Sequence, residues 1–240
     1  MSDHTFNIDE QPVPFTPGQT ILEAAEAAGV FVPHLCHHPE LKPHGGCKLC
    51  TVIVNGRTQT ACTCRAADGQ EVDVDTPELN SMRRSLVQML FIEGNHFCPT
   101  CEKSGNCDLQ ALGYEYEMMS PHFVEFFPAR EVDASHPDVI LDRNRCILCE
   151  RCVRASRDLD GKNIFAIAGR GGRATLIVNS PSGLLADTDF AATDRAAHIC
   201  PVGAILIKER GFATPIGERL YDRHPISTEV TACDVADAPK

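Results

Sequence analysis

The stretch Cys146-Ile147-Leu148-Cys149-Glu150-Arg151-Cys152, answered further along the chain by Cys200-Pro201, sets three thiols at three-residue steps and brings a fourth back from a distance. Three thiolates so spaced can hold three corners of an iron-sulfur cubane, and a returning Cys-Pro closes it. Arg143, Arg145, Arg151, Arg154 and Arg157 crowd the motif in an acidic chain and can offset cluster charge. A solvated helix face is the competing reading for them. Strands around Ile164 to Ile167 and Ala174 to Val178, a helix following Cys152 and another leading to His198 predict an α+β unit from about Val139 to Glu209.

Upstream, Leu79, Met82, Leu86, Met89 and Leu90 recur near helical spacing, with Arg83 and Arg84 assigned to the opposite side. This predicts a helix over Pro77 to Glu93, with Gly94 as its stop. Directly after it come His96-x-Cys98-x2-Cys101-x5-Cys107, a donor set that fits a 4Fe-4S cluster with one imidazole ligand. A zinc knuckle of three Cys and one His uses the same residue types. Cys98-Pro99-Thr100-Cys101 alone would suit a thiol redox pair, but Cys107 and the neighbouring motifs argue against it.

The first eighty residues read as a β-grasp sheet with one crossing helix. Strands are predicted at Thr5 to Ile8, Pro12 to Phe15, Thr51 to Val54, Arg57 to Ala61 and Glu71 to Asp75. Asn55-Gly56 forms the hairpin turn. Thr20 with Glu23 is a capping box opening a helix from Ile21 to Ala28, and Gly29 ends it. The loop that follows carries Cys36, Gly45, Gly46, Cys47 and Cys50, with Cys62 beyond the hairpin. Four such thiolates suit a 2Fe-2S centre, and the glycines let backbone N–H groups approach the sulfurs. A four-cysteine zinc site tolerates the same spacing. Cys64 competes with Cys62 for the fourth position, since two residues apart on a strand share a face. His34, His37, His38 and His44 read as exposed loop histidines.

Composition narrows the function. The chain has 240 residues, 43% hydrophobic and 23% charged, the profile of a globular protein with one or two domains. The opening Met1-Ser2-Asp3-His4 has no basic and apolar leader, and no apolar run approaches about 18 residues, so a cytoplasmic protein without a membrane span is expected. Thirteen cysteines in a reducing compartment point to metal ligation rather than disulfides. A net charge of -11 argues against a nucleic-acid partner and favours protein partners. Gly169-Arg170-Gly171-Gly172 does not match a dinucleotide fingerprint. The connection Ser120 to Asp138 carries Phe123, Phe126 and Phe127, read as buried linker packing, with an exposed docking surface as the competing reading. Gly211 to Pro225, with Phe212, Leu220 and Tyr221, is expected to lie across a partner subunit. Cys64 is expected to be a small buried side chain, and Cys233 falls in an irregular tail.

Two-cluster bacterial ferredoxins use the run Cys-x2-Cys-x2-Cys-x3-Cys-Pro, whose fourth Cys serves the other cluster. Here Ser156 holds that place, Arg157 replaces Pro, and no second triplet precedes Cys200. Every missing part belongs to one missing cluster, which leaves a single-cluster 4Fe-4S module. In order, the three motifs resemble the amino-terminal region of the complex I large iron-sulfur subunit, through Cys36 to Ala61-Cys62, Gly94-Asn95-His96 to Cys107-Asp108-Leu109-Gln110, and Cys146 to Cys200-Pro201. That family has three residues between the His and the first Cys of its middle group, where this chain has only Phe97. By length and by this spacing the chain resembles the diaphorase-side iron-sulfur subunit of soluble, NAD-reducing nickel-iron hydrogenases.

The resemblance implies an α+β chain in four parts. These are a 2Fe-2S β-grasp ferredoxin domain (1–78), a helical 4Fe-4S segment with one His and three Cys ligands (79–120), a ferredoxin-like single-cluster 4Fe-4S domain (121–210) and an extension (211–240). It selects Cys62 as the fourth 2Fe-2S ligand beside Cys36, Cys47 and Cys50. It assigns His96, Cys98, Cys101 and Cys107 to one 4Fe-4S cluster, and Cys146, Cys149, Cys152 and Cys200 to a second. The implied function is electron transfer, with no catalytic residue on this chain, inside a hetero-oligomer with a flavin-containing NAD-reactive subunit and a nickel-iron hydrogenase small subunit. The alternative is the same role in a complex I-like NADH dehydrogenase or an NAD-linked formate dehydrogenase.

Overall fold

Local signals in the first eighty residues build a mixed sheet. The structure, a computed structural model, describes residues 4–228, so Cys233 lies outside the described residues. The described residues form two compact units, one from 4–87, 112–118 and 224–228, the other from 88–111 and 119–223. In the first, β1 (Thr5–Ile8), β2 (Gln11–Pro14), β3 (Thr51–Val54), β4 (Arg57–Thr60) and β5 (Glu71–Asp73) lie in the order β2-β1-β5-β3-β4. β1 runs parallel to β5, pairing Ile8 with Val72, and the remaining neighbours are antiparallel. Asn55 and Gly56 both take positive φ, 48° and 76°, as a two-residue hairpin turn of matching twist requires.

α1 (Ile21–Ala27) starts where its capping box dictates. Glu23 N donates to Thr20 Oγ1 at 3.2 Å, and Thr20 N donates to Glu23 Oε2 at 2.7 Å. Ile21, Leu22, Ala24 and Ala25 then bury against Phe6, Ile8, Val52 and Val72.

α2 (Pro77–Ile92) departs from the helical face expected of it. Leu79, Arg83 and Val87 form the buried stripe, while Met89 is exposed. Arg83 is buried because three backbone carbonyls, two from loops and one from the start of β3, converge on its guanidinium. Nη1 donates to Val74 O at 2.7 Å, Nη2 to Thr51 O at 2.8 Å and Nε to Leu49 O at 3.3 Å, with Asn80 Oδ1 a further acceptor. A planar fork of donors can satisfy several carbonyls that a hydrophobic side chain would strand.

In the second unit, α3 (Asp108–Glu115) begins after a 3-10 turn at Cys98–Thr100. β6 (Val132–Asp133), β7 (Val139–Asp142) and the last strand, β10 (Ile205–Ile207), form an antiparallel sheet in the order β10-β7-β6. Ile205 pairs with Leu141. α4 (Arg151–Asp158) packs on the hairpin β8 (Phe165–Ala168) and β9 (Thr175–Val178), and on α5 (Arg195–His198). Val139, Leu141, Phe165, Leu176 and Ile205 are buried. Ser156, where a two-cluster protein would carry a cysteine, is fully buried and its hydroxyl accepts from Ile164 N at 2.8 Å. The position has become a structural tie between α4 and the approach to β8.

The phenylalanine connection is exposed, contrary to the buried packing expected. Phe126 and Phe127 are 64% and 66% exposed, and Phe123 and Val124 are exposed with them. One backbone bond, Phe126 N to Ile92 O at 3.2 Å, and one from a side-chain amide, Asn95 Nδ2 to Pro128 O at 2.7 Å, tie this segment to its neighbours, while the rings stay exposed. The segment expected to reach a partner is tied to its own chain at two points. Tyr221 N donates to Gly105 O at 2.9 Å and Leu220 N to Asn106 Oδ1 at 2.8 Å, while Phe212 remains exposed.

Substituting Arg83→Met strands three carbonyls, each costing about 1–3 kcal/mol when left unsatisfied. The expected result is a lower urea midpoint for loss of structure in the intact chain, by the equivalent of ~3 kcal/mol or more. Arg83→Lys, which cannot fork, should recover little of it.

Candidate metal centres

Backbone geometry brings three sets of donors together, and no disulfide joins any two described cysteines. In the first unit the loop after α1 has no regular structure, yet Leu35, Leu41 and Leu49 are buried and pull it onto the fold. Cys50 Sγ lies 3.2 Å from Cys62 Sγ, and Cys47 N donates to Cys36 Sγ at 3.5 Å. The Cys36 thiol also bonds those of Cys47 and Cys62. Contact with Cys47 holds Cys36 far below the usual thiol range, and contact with Cys62 lowers Cys50. Their partners move oppositely, Cys47 and Cys62 being driven up by bonds to Cys36. Four thiols this close cannot all ionise without a cation among them.

Cys62 rather than Cys64 enters this group, because β4 ends at Thr60. Thr63 N and Cys64 N both donate to Thr60 O at 3.0 Å, a turn that cancels strand alternation. Cys64 is partly buried at the edge of the core, and burial raises its thiol pKa. The surrounding histidines differ from expectation. His37 and His38 are 2% and 5% exposed, His34 is half-buried, and only His44 lies on the surface. The same apolar anchoring that pulls in the loop buries them. Glu26 sits 3.6 Å from His37 Nε2 and 3.7 Å from His34 Nε2.

In the second unit His96, Cys98, Cys101 and Cys107 line one hollow with Phe91, Leu109, Arg145 and Gly203. Burial pushes the His96 pKa down to about 4, so the ring is neutral near pH 7. The ring also bonds the Leu90 carbonyl, whereas buried Nε2 has no hydrogen-bond partner. A neutral imidazole whose other nitrogen donates to a carbonyl keeps its Nε2 lone pair for a metal. Gly94, expected to stop α2, makes room for this ring, since a Cβ there would lie 2.6 Å from Nε2. Burial pushes Cys107 up to about 12 and raises Cys98.

Cys146, Cys149, Cys152 and Cys200 line a second hollow, walled by Ile147, Leu148, Ile167, Leu176, Val202 and Ile205. Leu148 and Glu150 take positive φ, 55° and 58°, and so turn the backbone around the thiols. N–H groups of Leu148, Arg151 and Val153 reach Cys146, Cys149 and Cys152, but burial outweighs them. It pushes Cys146 up to about 11, Cys149 to about 12 and Cys152 well above its ordinary value. The arginines do not form the solvated face weighed for them. Arg151 and Arg154 are buried, and Arg157 alone lies well out, paired with Asp158.

Among the described residues no three His, Cys, Asp or Glu side chains are arranged around a single metal ion. Converging thiols, an orphaned imidazole nitrogen and hollows walled by apolar residues are the donor chemistry of iron-sulfur clusters. No helix among the described residues is long and apolar enough to cross a membrane.

Comparison with known proteins agrees along the chain. Residues 3–77 match a 2Fe-2S iron-sulfur cluster binding domain, 83–122 the NADH-ubiquinone oxidoreductase-G iron-sulfur binding region, and 139–207 a 4Fe-4S single cluster domain. Fold and sites together define an iron-sulfur electron-transfer protein of mixed helix and sheet. The chain is 43% identical over 216 residues to the gamma chain of the NAD-reducing hydrogenase HoxS of Cupriavidus necator, covering 90% of this chain and 92% of that one. It is similar, with 55% identity and a TM-score of 0.91, to a chain in a crystal structure of an NAD+-reducing NiFe-hydrogenase in the H2-reduced state. That match covers 94% of this chain and 96% of the other. The chain belongs to the family of these hydrogenase gamma chains. It is also 34% identical to the second G-type chain of the NADH-quinone oxidoreductase of Rhizobium meliloti, covering 83% of this chain but 23% of that longer protein.

Gly203 gives a direct test of the middle hollow, since a Cβ there would lie 2.8 Å from Cys101 Sγ. Gly203→Ala should lower iron content and weaken one 4Fe-4S EPR signal while leaving the 2Fe-2S signal intact.

Proposed function

We propose that this chain relays single electrons between a flavin-containing, NAD-reactive subunit and the small subunit of a nickel-iron hydrogenase, coupling H2 oxidation to NAD reduction in a cytoplasmic hetero-oligomer. Cys36, Cys47, Cys50 and Cys62 hold one 2Fe-2S cluster on a β-grasp domain (1–78), a reading supported by the strand order β2-β1-β5-β3-β4. His96, Cys98, Cys101 and Cys107 hold one 4Fe-4S cluster in the segment 79–120. Cys146, Cys149, Cys152 and Cys200 hold the other in a ferredoxin-like domain (121–210), followed by the extension 211–240. The observation that carries this reading is the correspondence with the HoxS gamma chain over nearly the whole of both proteins.

Clusters supply the one-electron steps that hydride chemistry at a flavin must be joined to. The residues of this chain do the rest. Thiols give up protons as ligands, His96 offers a neutral nitrogen, and backbone N–H groups at Leu148, Arg151 and Val153 face the sulfurs and tune potential. Apolar walls at Ile167, Leu176 and Ile205 keep water away. No acid, base or nucleophile is required.

Two experiments test this. Anaerobic purification of the native complex should give iron, sulfide, nickel and flavin together with this chain. Iron and sulfide without nickel would contradict the hydrogenase assignment and favour the NADH dehydrogenase or formate dehydrogenase alternative. In the same complex His96→Ala should alter the EPR signal and potential of one 4Fe-4S cluster, and an unchanged signal would remove His96 from the ligand set.

A further inference from the structure

Two ion pairs in the second unit repeat one pattern. Glu102, immediately after Cys101, accepts from Arg145, immediately before Cys146, at 2.8 Å. Asp108, immediately after Cys107, accepts from Arg151, immediately before Cys152, at 3.4 Å. Each acid follows a cysteine of the middle motif and each arginine precedes a cysteine of the last. The backbone adds a third tie, Asp108 N donating to Pro201 O at 3.0 Å beside Cys200. Gly203 closes the gap, with room for no Cβ between it and Cys101 Sγ. Tyr221 Oη donates to Asp108 Oδ1 at 3.0 Å, holding the carboxylate from its other side.

We propose that Glu102–Arg145 and Asp108–Arg151 are positioning pairs that lock the loops of the two 4Fe-4S clusters together and balance the charge each cluster feels. The proposal rests on the ligand assignment above. Packing alone does not require acids and bases in matched order beside four ligands, and apolar contacts would join the loops as well. A charge pair does something more. Reduction adds an electron to a cluster, so a nearby carboxylate disfavours the reduced form and a nearby guanidinium favours it. The two pairs should also differ in strength. Side-chain exposure is 4% and 15% for Arg151 and Asp108, against 20% and 36% for Arg145 and Glu102. Solvent screens the second pair more.

EPR-monitored redox titration of the anaerobically purified complex, with wild-type and variant chains, decides the matter. Asp108→Asn should raise the potentials of both 4Fe-4S clusters and Arg151→Gln should lower both. The double variant should return both toward wild type. Glu102→Gln should shift them in the same direction as Asp108→Asn, by less. If Arg151→Gln fails to assemble, Asp108→Asn and Glu102→Gln decide alone. Shifts confined to one cluster, no shift, or the same sign for acid and arginine variants would overturn the proposal. Fewer than two 4Fe-4S signals in the wild-type complex would instead overturn the ligand assignment beneath it.

Discussion

Burying four thiols within reach of one another is unfavourable until a cation displaces their protons, and much of this fold is arranged around that constraint. Most donors stand on loops, with Cys152 in the first turn of α4 and Cys98 in a 3-10 turn, because irregular backbone can aim several sulfurs at one point. Such loops gain little from secondary structure. Without metal their thiols are pushed apart in acidity, as Cys36 and Cys62 are, or lifted together by burial, as Cys146 and Cys149 are. Under the proposed ligand assignment iron would resolve both situations, and ligation would contribute to folding as well as to electron transfer.

Arginines complete what ligation begins. Arg83 satisfies carbonyls on both sides of Cys50, at Leu49 and Thr51, from within a helix. Arg143 donates to Leu176 O, and Arg145 and Arg151 reach the acids beside the middle thiols. In a chain of net charge -11, these four arginines stand beside the cysteine-bearing loops. A fixed charge beside a ligand then acts on cluster potential and loop geometry through the same side chain.

Much of this is legible in the sequence, for reasons that are local. Thr20 with Glu23 and Asn55 with Gly56 act within four residues, so α1 and the β3–β4 turn begin where expected. Cysteine spacing is likewise local, and the residues it groups line common hollows, His96 to Cys107 in one and Cys146 to Cys200 in the other. What escapes such reading is non-local. Periodicity treats Arg83 as a solvent-facing charge, because carbonyls from residues 49, 51 and 74 are invisible until the loop and strands fold around it. His37 and His38 escape for a similar reason, since Leu35, Leu41 and Leu49 bury a loop that looks polar. Strand alternation cannot separate Cys62 from Cys64, as the strand ends at Thr60. The phenylalanines of residues 123–127 follow no periodic element, and composition does not reveal that their rings stay exposed. For the acid–arginine pairs a signal exists, an acid after Cys101 and Cys107 and an arginine before Cys146 and Cys152, but only the fold pairs them.

Mössbauer spectroscopy of the intact chain, purified anaerobically from iron-57-grown cells, tests most directly whether the three donor sets carry clusters. The account predicts one 2Fe-2S and two 4Fe-4S components, with iron areas near 1:2:2 by cluster nuclearity. A spectrum lacking either class, or iron-free protein holding zinc, would contradict it.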